Sequence, residues 1–319
     1  MPEIPIVVIT PVKNESWILD NFLRTTSMFA DHIIIADQFS TDESRDIAGR
    51  FEKVVLIQND REKYDEQYRQ KLLIDKAREI VPGKKILLAL DADEIITADS
   101  LDSQDWEQMC LLDPGTVLRF EKPDVLANMQ TCIRHREYFT LGYIDDGVDH
   151  LGKKIHSVRI PRLDNSPEVD IESIKFMHLA LTRPYEYAAR QRYYSMVENI
   201  ESISPFYRRL IKYSPRLVDY ISQREITNTP ESWFAGWKKA GIDLTAIRSS
   251  EFNNFNDMVL QNLSIYGPGK FYFDDIWQID WKVYNSKRNI IKSKRGSLKS
   301  PLLVRTLLST IIYCIKLLR

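Results

Sequence analysis

Asp91-Ala92-Asp93-Glu94 follows directly on the apolar run Ile86-Leu87-Leu88-Ala89-Leu90. Carboxylates at i and i+2, just past a buried strand, project from that strand's carboxyl end. In an open parallel sheet, ligands bind outside that end. Two carboxylates held side by side repel each other unless something cationic lies between them. Mg2+ or Mn2+ carrying a diphosphate meets that need, because hard cations take oxygen ligands and share them with phosphate. A single D-x-D triplet is also what a polar turn after a strand looks like, so the surrounding elements decide.

Ile4-Pro5-Ile6-Val7-Val8-Ile9 is a short β-branched apolar run that reads as a buried strand, and it ends in Thr10-Pro11-Val12-Lys13-Asn14-Glu15. Trp17 to Phe29 places Trp17, Ile18, Phe22, Met28 and Phe29 on an approximate helical face. His32-Ile33-Ile34-Ile35-Ala36-Asp37 is a second strand with an acid at its end. Ser40-Thr41-Asp42-Glu43 has the form of a capping box and opens a helix predicted to reach Phe51. Val54-Val55-Leu56-Ile57 is a third strand. Asp65 to Ile80 reads as a helix with Leu72, Leu73, Ala77 and Ile80 on one side, stopped by Pro82-Gly83. The strand ending in Asp91 is the fourth. Residues 4–95 thus read β-α-β-α-β-α-β, which predicts a doubly wound α/β fold with a mostly parallel, two-sided sheet. Its carboxyl edge displays Asp37 and Asp91, the position of a nucleotide site. No G-x-G-x-x-G follows the first strand, and no G-x-x-x-x-G-K-[ST] occurs. That argues against a dinucleotide dehydrogenase or a P-loop enzyme. A diphosphate here would be held by a metal and cationic side chains.

Three segments carry a family resemblance: Thr10-Pro11-Val12-Lys13-Asn14-Glu15, Ile33-Ile34-Ile35-Ala36-Asp37-Gln38-Phe39-Ser40-Thr41-Asp42 and Leu90-Asp91-Ala92-Asp93-Glu94. In order, spacing and position at strand ends they resemble the N-terminal half of a family-two glycosyltransferase of the GT-A fold. The likeness is clear over residues 4–95, diffuse to about 195, and not visible beyond. It implies a GT-A domain over 1–240, with a Rossmann-like nucleotide-sugar half at 1–95 and an acceptor half at 96–240, then a helical C-terminal extension at 241–285. It implies Thr10, Pro11 and Glu15 near the base and ribose, Asp37 on the base, Asp91 on the ribose and the metal, and Asp93 on the metal. The metal is Mn2+ or Mg2+, and a UDP-sugar is the family's usual donor. A basic residue on the third helix meets the diphosphate in the family. Arg69 or Lys71 stands there, although Tyr68-Arg69-Gln70-Lys71 departs from the common R-N pattern. The family often completes its metal site with a distant histidine. His178, in Phe176-Met177-His178-Leu179-Ala180, falls where that ligand is expected, with His156 second. A histidine inside an apolar run is otherwise a satisfied core residue.

An inverting transferase also needs a carboxylate to take the acceptor proton. Glu172 is the chosen candidate, with Asp170, Asp145, Asp146 and Glu137 as alternatives. Arg134-His135-Arg136-Glu137 is a dense polar cluster, and Ile155 to Ile160 alternates like a strand. Trp233 and Trp237 are four apart, as are Trp277 and Trp281. On helices each pair shares a face, for core packing, sugar stacking or an interfacial belt. Asp93, past the strand end, is expected to be exposed.

The 319 residues, 44% hydrophobic, suit one large or two modest domains. Three cysteines without a C-x-x-C spacing argue against a disulfide framework, and a reducing, cytosolic setting fits. The first strand begins by residue 4, so no signal peptide is expected. Residues 286–319 hold nine basic residues and no acid, so a chain of net charge −1 carries −10 over residues 1–285. From Pro301 the tail is also apolar, with Arg305, Ser309 and Lys316 on one side of a helix. Leu303, Val304, Leu307, Leu308, Ile311, Ile315 and Leu318 lie on the other. A span needs ~20 apolar residues, so the tail suits a helix lying in an anionic membrane surface, or one docked on the protein itself. No nucleic-acid motif accompanies the basic run. The expected protein is a metal-dependent, inverting glycosyltransferase, cytoplasmic and peripheral on the inner membrane face, acting on a glycan or lipid-linked acceptor. A sugar nucleotidyltransferase would want a glycine-rich first loop, which Thr10 to Glu15 lacks. A membrane-tethered glycan-binding protein without activity is the non-enzyme alternative.

Overall fold

The computed structural model describes residues 4–61, 65–153, 157–217, 226–245, 255–291 and 298–318. The chain divides into two compact units. One comprises Met1–Thr182 with Thr227–Ser250, the other Arg183–Ile226 with Glu251–Arg319.

The first unit is α/β. Strands β1 (Ile6–Val12), β2 (His32–Asp37), β3 (Val54–Gln58) and β4 (Ile86–Ala89) lie in the order β4-β1-β2-β3, all parallel. Helices α1 (Leu19–Thr26), α2 (Ser44–Ala48) and α3 (Glu66–Ile80) make the crossovers. Alternation along each strand explains the two-sided burial. Ile6, Val8, Ile33 and Ile35 pack with Phe22 and Leu23 of α1 on one face. Val7, Ile9, Ile34 and Ala36 pack with Leu73, Ile74 and Ala77 of α3 on the other. A parallel sheet is stable only with both faces covered, and these strands supply apolar side chains to both.

The sheet continues as a mixed extension. The remaining strands are β5 (Glu94–Ile96), β6 (Val117–Glu121), β7 (Asp124–Val125), β8 (Thr131–Ile133), β9 (Phe139–Ile144), β10 (Glu168–His178) and β11 (Ile226–Asn228). The order is β11-β8-β7-β10-β6-β9-β4-β1-β2-β3, with β5 paired to β10, eleven strands among the described residues. β9 joins the parallel half by pairing antiparallel to both β4 and β6. Gly142 permits that junction: a Cβ there would meet the Leu88 and Leu118 side chains at 2.9–3.1 Å.

Two local expectations differ, and the tryptophans take the core-packing reading. The capping box does not form, because Glu43 precedes α2 without a side-chain cap. Ser40 Oγ instead accepts from the Asn14 amide (2.9 Å), Asp42 from the Ser16 amide (3.0 Å) and Ser44 Oγ from the Glu15 amide (2.9 Å). These hydroxyls and the carboxylate satisfy the loop after β1, whose Asn14 has φ 58°. Of the run Ile155 to Ile160, residues 157–160 form no strand, and His156 lies outside the described residues. All four paired tryptophans are buried, so none offers an open ring face to a sugar. Trp233 and Trp237 sit on the helix Ser232–Lys239, and Trp281 opens the helix Trp281–Arg288 with Trp277 in the turn ahead of it.

The second unit is helical. Its core joins Met196, Leu210, Val259, Leu263, Phe271 and Trp281, and also Leu308 and Ile312 of the C-terminal helix Leu302–Leu318. Asp274, fully buried, accepts from Ser195 Oγ and Arg209 Nε, both at 2.7 Å.

Candidate functional site

Strand register assembles the carboxyl edge. Val12 of β1 is level with Asp37 of β2, and Ile9 with Ala89 of β4, so Asp37 and Asp91 end the two strands that flank β1. Two strand spacings separate them, about 10 Å. The Asp37 carboxylate is fully buried. Its Oδ2 accepts from Arg45 Nη1 at 2.8 Å, while its Oδ1 has no hydrogen-bond partner among the described residues. The Thr10 hydroxyl, level with Ile35 on the neighbouring strand, is likewise buried and without a partner. An unsatisfied buried acceptor costs about 1–3 kcal/mol, more when charged, so such atoms at a sheet edge call for a donor from outside. Burial pulls the nearby Lys13 ammonium below its usual value, against the attraction of Asp37.

The other residues expected near the nucleoside have defined places. Pro11 is level with Ala36 within the sheet. Glu15 Oε2 accepts from Trp17 Nε1 at 2.6 Å, and its backbone oxygen accepts from the Leu19 amide at the entry to α1. Arg69 sits half-buried in the first turn of α3, which Asp65 caps by accepting from the Tyr68 amide (3.0 Å). That turn leaves the carboxyl side of β3, so Arg69 is at the expected edge.

The acidic run is arranged around an arginine. Arg159 donates to Asp91 Oδ2 and to Glu94 Oε2, both at 2.6 Å. Lys122 donates to the other Glu94 oxygen at 2.8 Å. Burial opposes ionisation of Glu94, but Arg159 and Lys122 outweigh it and hold its carboxyl far below the usual range. The cation between Asp91 and Glu94 is therefore a guanidinium.

Asp93 is 5% exposed, not the open surface carboxylate expected past a strand end. β5 turns back at Glu94 and pairs with the end of β10, which closes over it. His178 ends β10, its amide bonded to Pro123 O and the next amide, Leu179, to Asp93 O, both at 2.8 Å. The ring Nδ1 contacts Asp124 Oδ1 at 2.5 Å, and Nε2 lies 3.6 Å from Asp93 Oδ2. His135 Nε2 contacts the other Asp124 oxygen at 2.8 Å. Burial pushes the Asp124 carboxyl up, but its hydrogen bonds with His135 and His178 outweigh that and hold it well below the carboxylate range.

Asp93 and His178 fit a divalent ion as a pair. Nδ1 contacts Asp124 while Nε2 is turned toward the Asp93 carboxylate, which also interacts electrostatically with Arg159. Donors to one ion, each about 2.1 Å from it, lie within ~4 Å of each other, and 3.6 Å satisfies that. A carboxylate behind the ligand histidine is the usual orienting partner. Asp91 does not share this arrangement, since Arg159 takes its carboxylate. Among the described residues no group of three or more His, Cys, Asp or Glu is spaced to hold a metal. The pair would leave the remaining positions to phosphate and water oxygens, the common pattern for Mg2+.

Glu172 is not brought to this cluster. It is exposed on β10, six residues ahead of His178, roughly 20 Å at strand rise. Asp145 is a structural acid held by Lys85 and Arg78, each at 2.7 Å. Asp170 is paired with Arg119 at 2.6 Å. Sequence reasoning missed Arg159 and Asp124 altogether. Arg159 lies in a run that alternates like a strand, and Asp124 stands in Lys122-Pro123-Asp124, whose only signal is a proline before an acid.

His178→Ala separates ligand from packing residue. As a ligand, it is expected to weaken Mn2+ affinity about 10–100-fold with little change in unfolding midpoint. Titration calorimetry with a nucleoside diphosphate, alongside thermal unfolding, reads both. Lost stability with unchanged metal affinity would make it a packing histidine.

Neither a protein-family model nor a curated protein sequence matches the chain. Among solved structures, the chain is similar to glucosyl-3-phosphoglycerate synthase from Mycobacterium tuberculosis, in complex with Mn2+, UDP and glucosyl-3-phosphoglycerate. There the identity is 17% and the TM-score 0.23, over 29% of this chain and 35% of that one. It is also similar to HddC from Yersinia pseudotuberculosis, at 13% identity and TM-score 0.31, over 55% of this chain and 93% of that one. Neither score reaches the level at which two chains share an overall fold.

Proposed function

We propose that this chain is a glycosyltransferase of the GT-A kind that moves a sugar from a nucleotide diphosphate-sugar to a glycan or lipid-linked acceptor. The observation that carries the reading is the buried, unpaired Asp37 Oδ1 on the same sheet edge as Asp91 and Asp93, about 10 Å along it. A nucleoside presents an N–H to an acceptor such as Asp37 and extends ribose and diphosphate toward the acidic run. Thr10, Pro11 and Glu15 would border the base and ribose, Asp91 the ribose, and Arg69 the diphosphate. Asp93 and His178 would hold Mn2+ or Mg2+, which when bound supplies positive charge against the leaving diphosphate. Asp124 fixes the His178 ring. Arg159 pairs with both Asp91 and Glu94 and holds them in place. Glu172 would take the acceptor proton only from an acceptor that reaches well down β10, and His135, which contacts Asp124, is the second candidate base.

A thermal-shift panel of UDP-, GDP-, CDP- and dTDP-sugars, each with and without Mn2+, tests the reading. One nucleotide class is expected to raise the unfolding midpoint, more so with Mn2+. Ligand at 100 times its dissociation constant stabilises by about 2.7 kcal/mol. No shift with any nucleotide would sink it.

A further inference from the structure

The C-terminal helix Leu302–Leu318 has two apolar faces, and the protein covers one of them. Leu308 and Ile312 are 1% and 3% exposed in the core of the helical unit, with Val304, Ile311 and Ile315 packed beside them. At ~100° per residue these five fall within one sector of the helix. The opposite sector carries Leu302 (76% exposed), Tyr313 (62%), Leu317 (68%), Leu303 (84%), Cys314 and Leu307, with Thr306 and Thr310 between them. Together they span about 140° of the helix surface. Arg305, Lys316 and Ser309 occupy the seam between this stripe and the docked face. Arg305 and Lys316 have no carboxylate partner among the described residues. No helix among the described residues is long and apolar enough to cross a membrane.

We propose that this stripe docks on an anionic bilayer surface, with the helix lying flat and its opposite face still packed on the protein. Charge selects that occupant. The segment 286–319 is +9 without an acid, whereas residues 1–285 carry −10, so an anionic surface attracts this segment of the chain and repels the remainder. Leucines at the stripe's centre reach the acyl boundary. A tyrosine stands among them, the residue type favoured at headgroup level, and basic side chains at the seam reach up to the phosphates. A second copy of the chain would bring two +9 segments together, which disfavours it. This inference is independent of the transferase reading, because it uses neither donor nor acceptor.

Sedimentation of the full chain with vesicles tests it, using phosphatidylcholine with and without phosphatidylglycerol. Binding is expected to be stronger to the anionic vesicles by about tenfold or more, and to fall as salt rises. Leu303→Ser with Leu317→Ser, and separately Arg305→Gln with Lys316→Gln, are each expected to weaken binding about tenfold. Because these side chains are exposed or at the seam, the unfolding midpoint should not move. Equal binding to both vesicle types, no binding, or wild-type binding by the leucine variant would each overturn the proposal. So would a wild-type dimer in the absence of lipid that the leucine variant dissolves, since the stripe would then be covered by a second copy.

Discussion

Asp93→Asn is expected to remove the Mn2+ dependence of nucleoside diphosphate binding, weakening it by about 100-fold or more in the presence of the ion. The substitution keeps the volume of a side chain that is 5% exposed and removes only its charge. Asparagine is the better probe than alanine for that reason: a cavity at the β5 turn would mix loss of packing with loss of a ligand. The backbone bond from the Leu179 amide to Asp93 O is retained. Calorimetric titration of wild type and variant with a nucleoside diphosphate, with and without Mn2+, measures the effect. Equal affinities in both proteins, with wild type still responding to Mn2+, would remove Asp93 from the metal site and leave the transferase reading standing. A wild type that binds no nucleotide would instead end that reading.

Asp145→Ala is expected to destabilise the fold by about 3–5 kcal/mol, the usual cost of removing one partner from a buried ion pair. Asp145 accepts from Lys85 Nζ at 2.7 Å and from Arg78 at 2.7 Å, and both ends of the Lys85 pair are 2% exposed. Alanine would leave the Lys85 ammonium buried with the Gly83 carbonyl as its partner (2.6 Å). Lys85→Met added to the same chain should recover part of the loss, because it removes the stranded ammonium, while the 20% exposed Arg78 keeps the Val148 carbonyl as a partner. Urea unfolding of the three proteins reads this. A loss below about 1 kcal/mol would show that water reaches the lysine. Burial pushes the Asp145 carboxyl up, but Arg78 and Lys85 outweigh it and set it below the usual range. A depressed carboxyl contributes stability that is present above its unfolded value, about 3.9, and lost as pH falls through the folded value. The gap between wild type and Asp145→Ala should therefore narrow below about pH 4.

Sequence periodicity determined the parallel half. The runs Ile6 to Ile9, Ile33 to Ala36, Val54 to Ile57 and Ile86 to Leu90 are apolar throughout, as strands of a sheet covered on both faces must be. Once those strands are fixed in order, chain geometry alone puts Asp37 and the acids from Asp91 at one edge. The amphipathic tail was legible for the same reason, since helical spacing is local.

Tertiary structure decided what surrounds those acids. Arg159 reaches Asp91 and Glu94 from 65 or more residues away, a contact that no local pattern encodes. The burial of Asp93 depends on β5 pairing with the end of β10, a long-range strand choice. The same pairing brings His178 beside Asp93 and leaves Glu172 far down the strand. Ser40 gave a capping signal but bonded to the loop after β1, because a hydroxyl takes whichever unsatisfied amide packing brings to it. In the tail, sequence grouped Leu303, Leu307, Leu308 and Ile311 on one apolar side. Only packing against Trp281 and its neighbours decided that Leu308 and Ile312 turn inward and Leu303 and Leu317 face out.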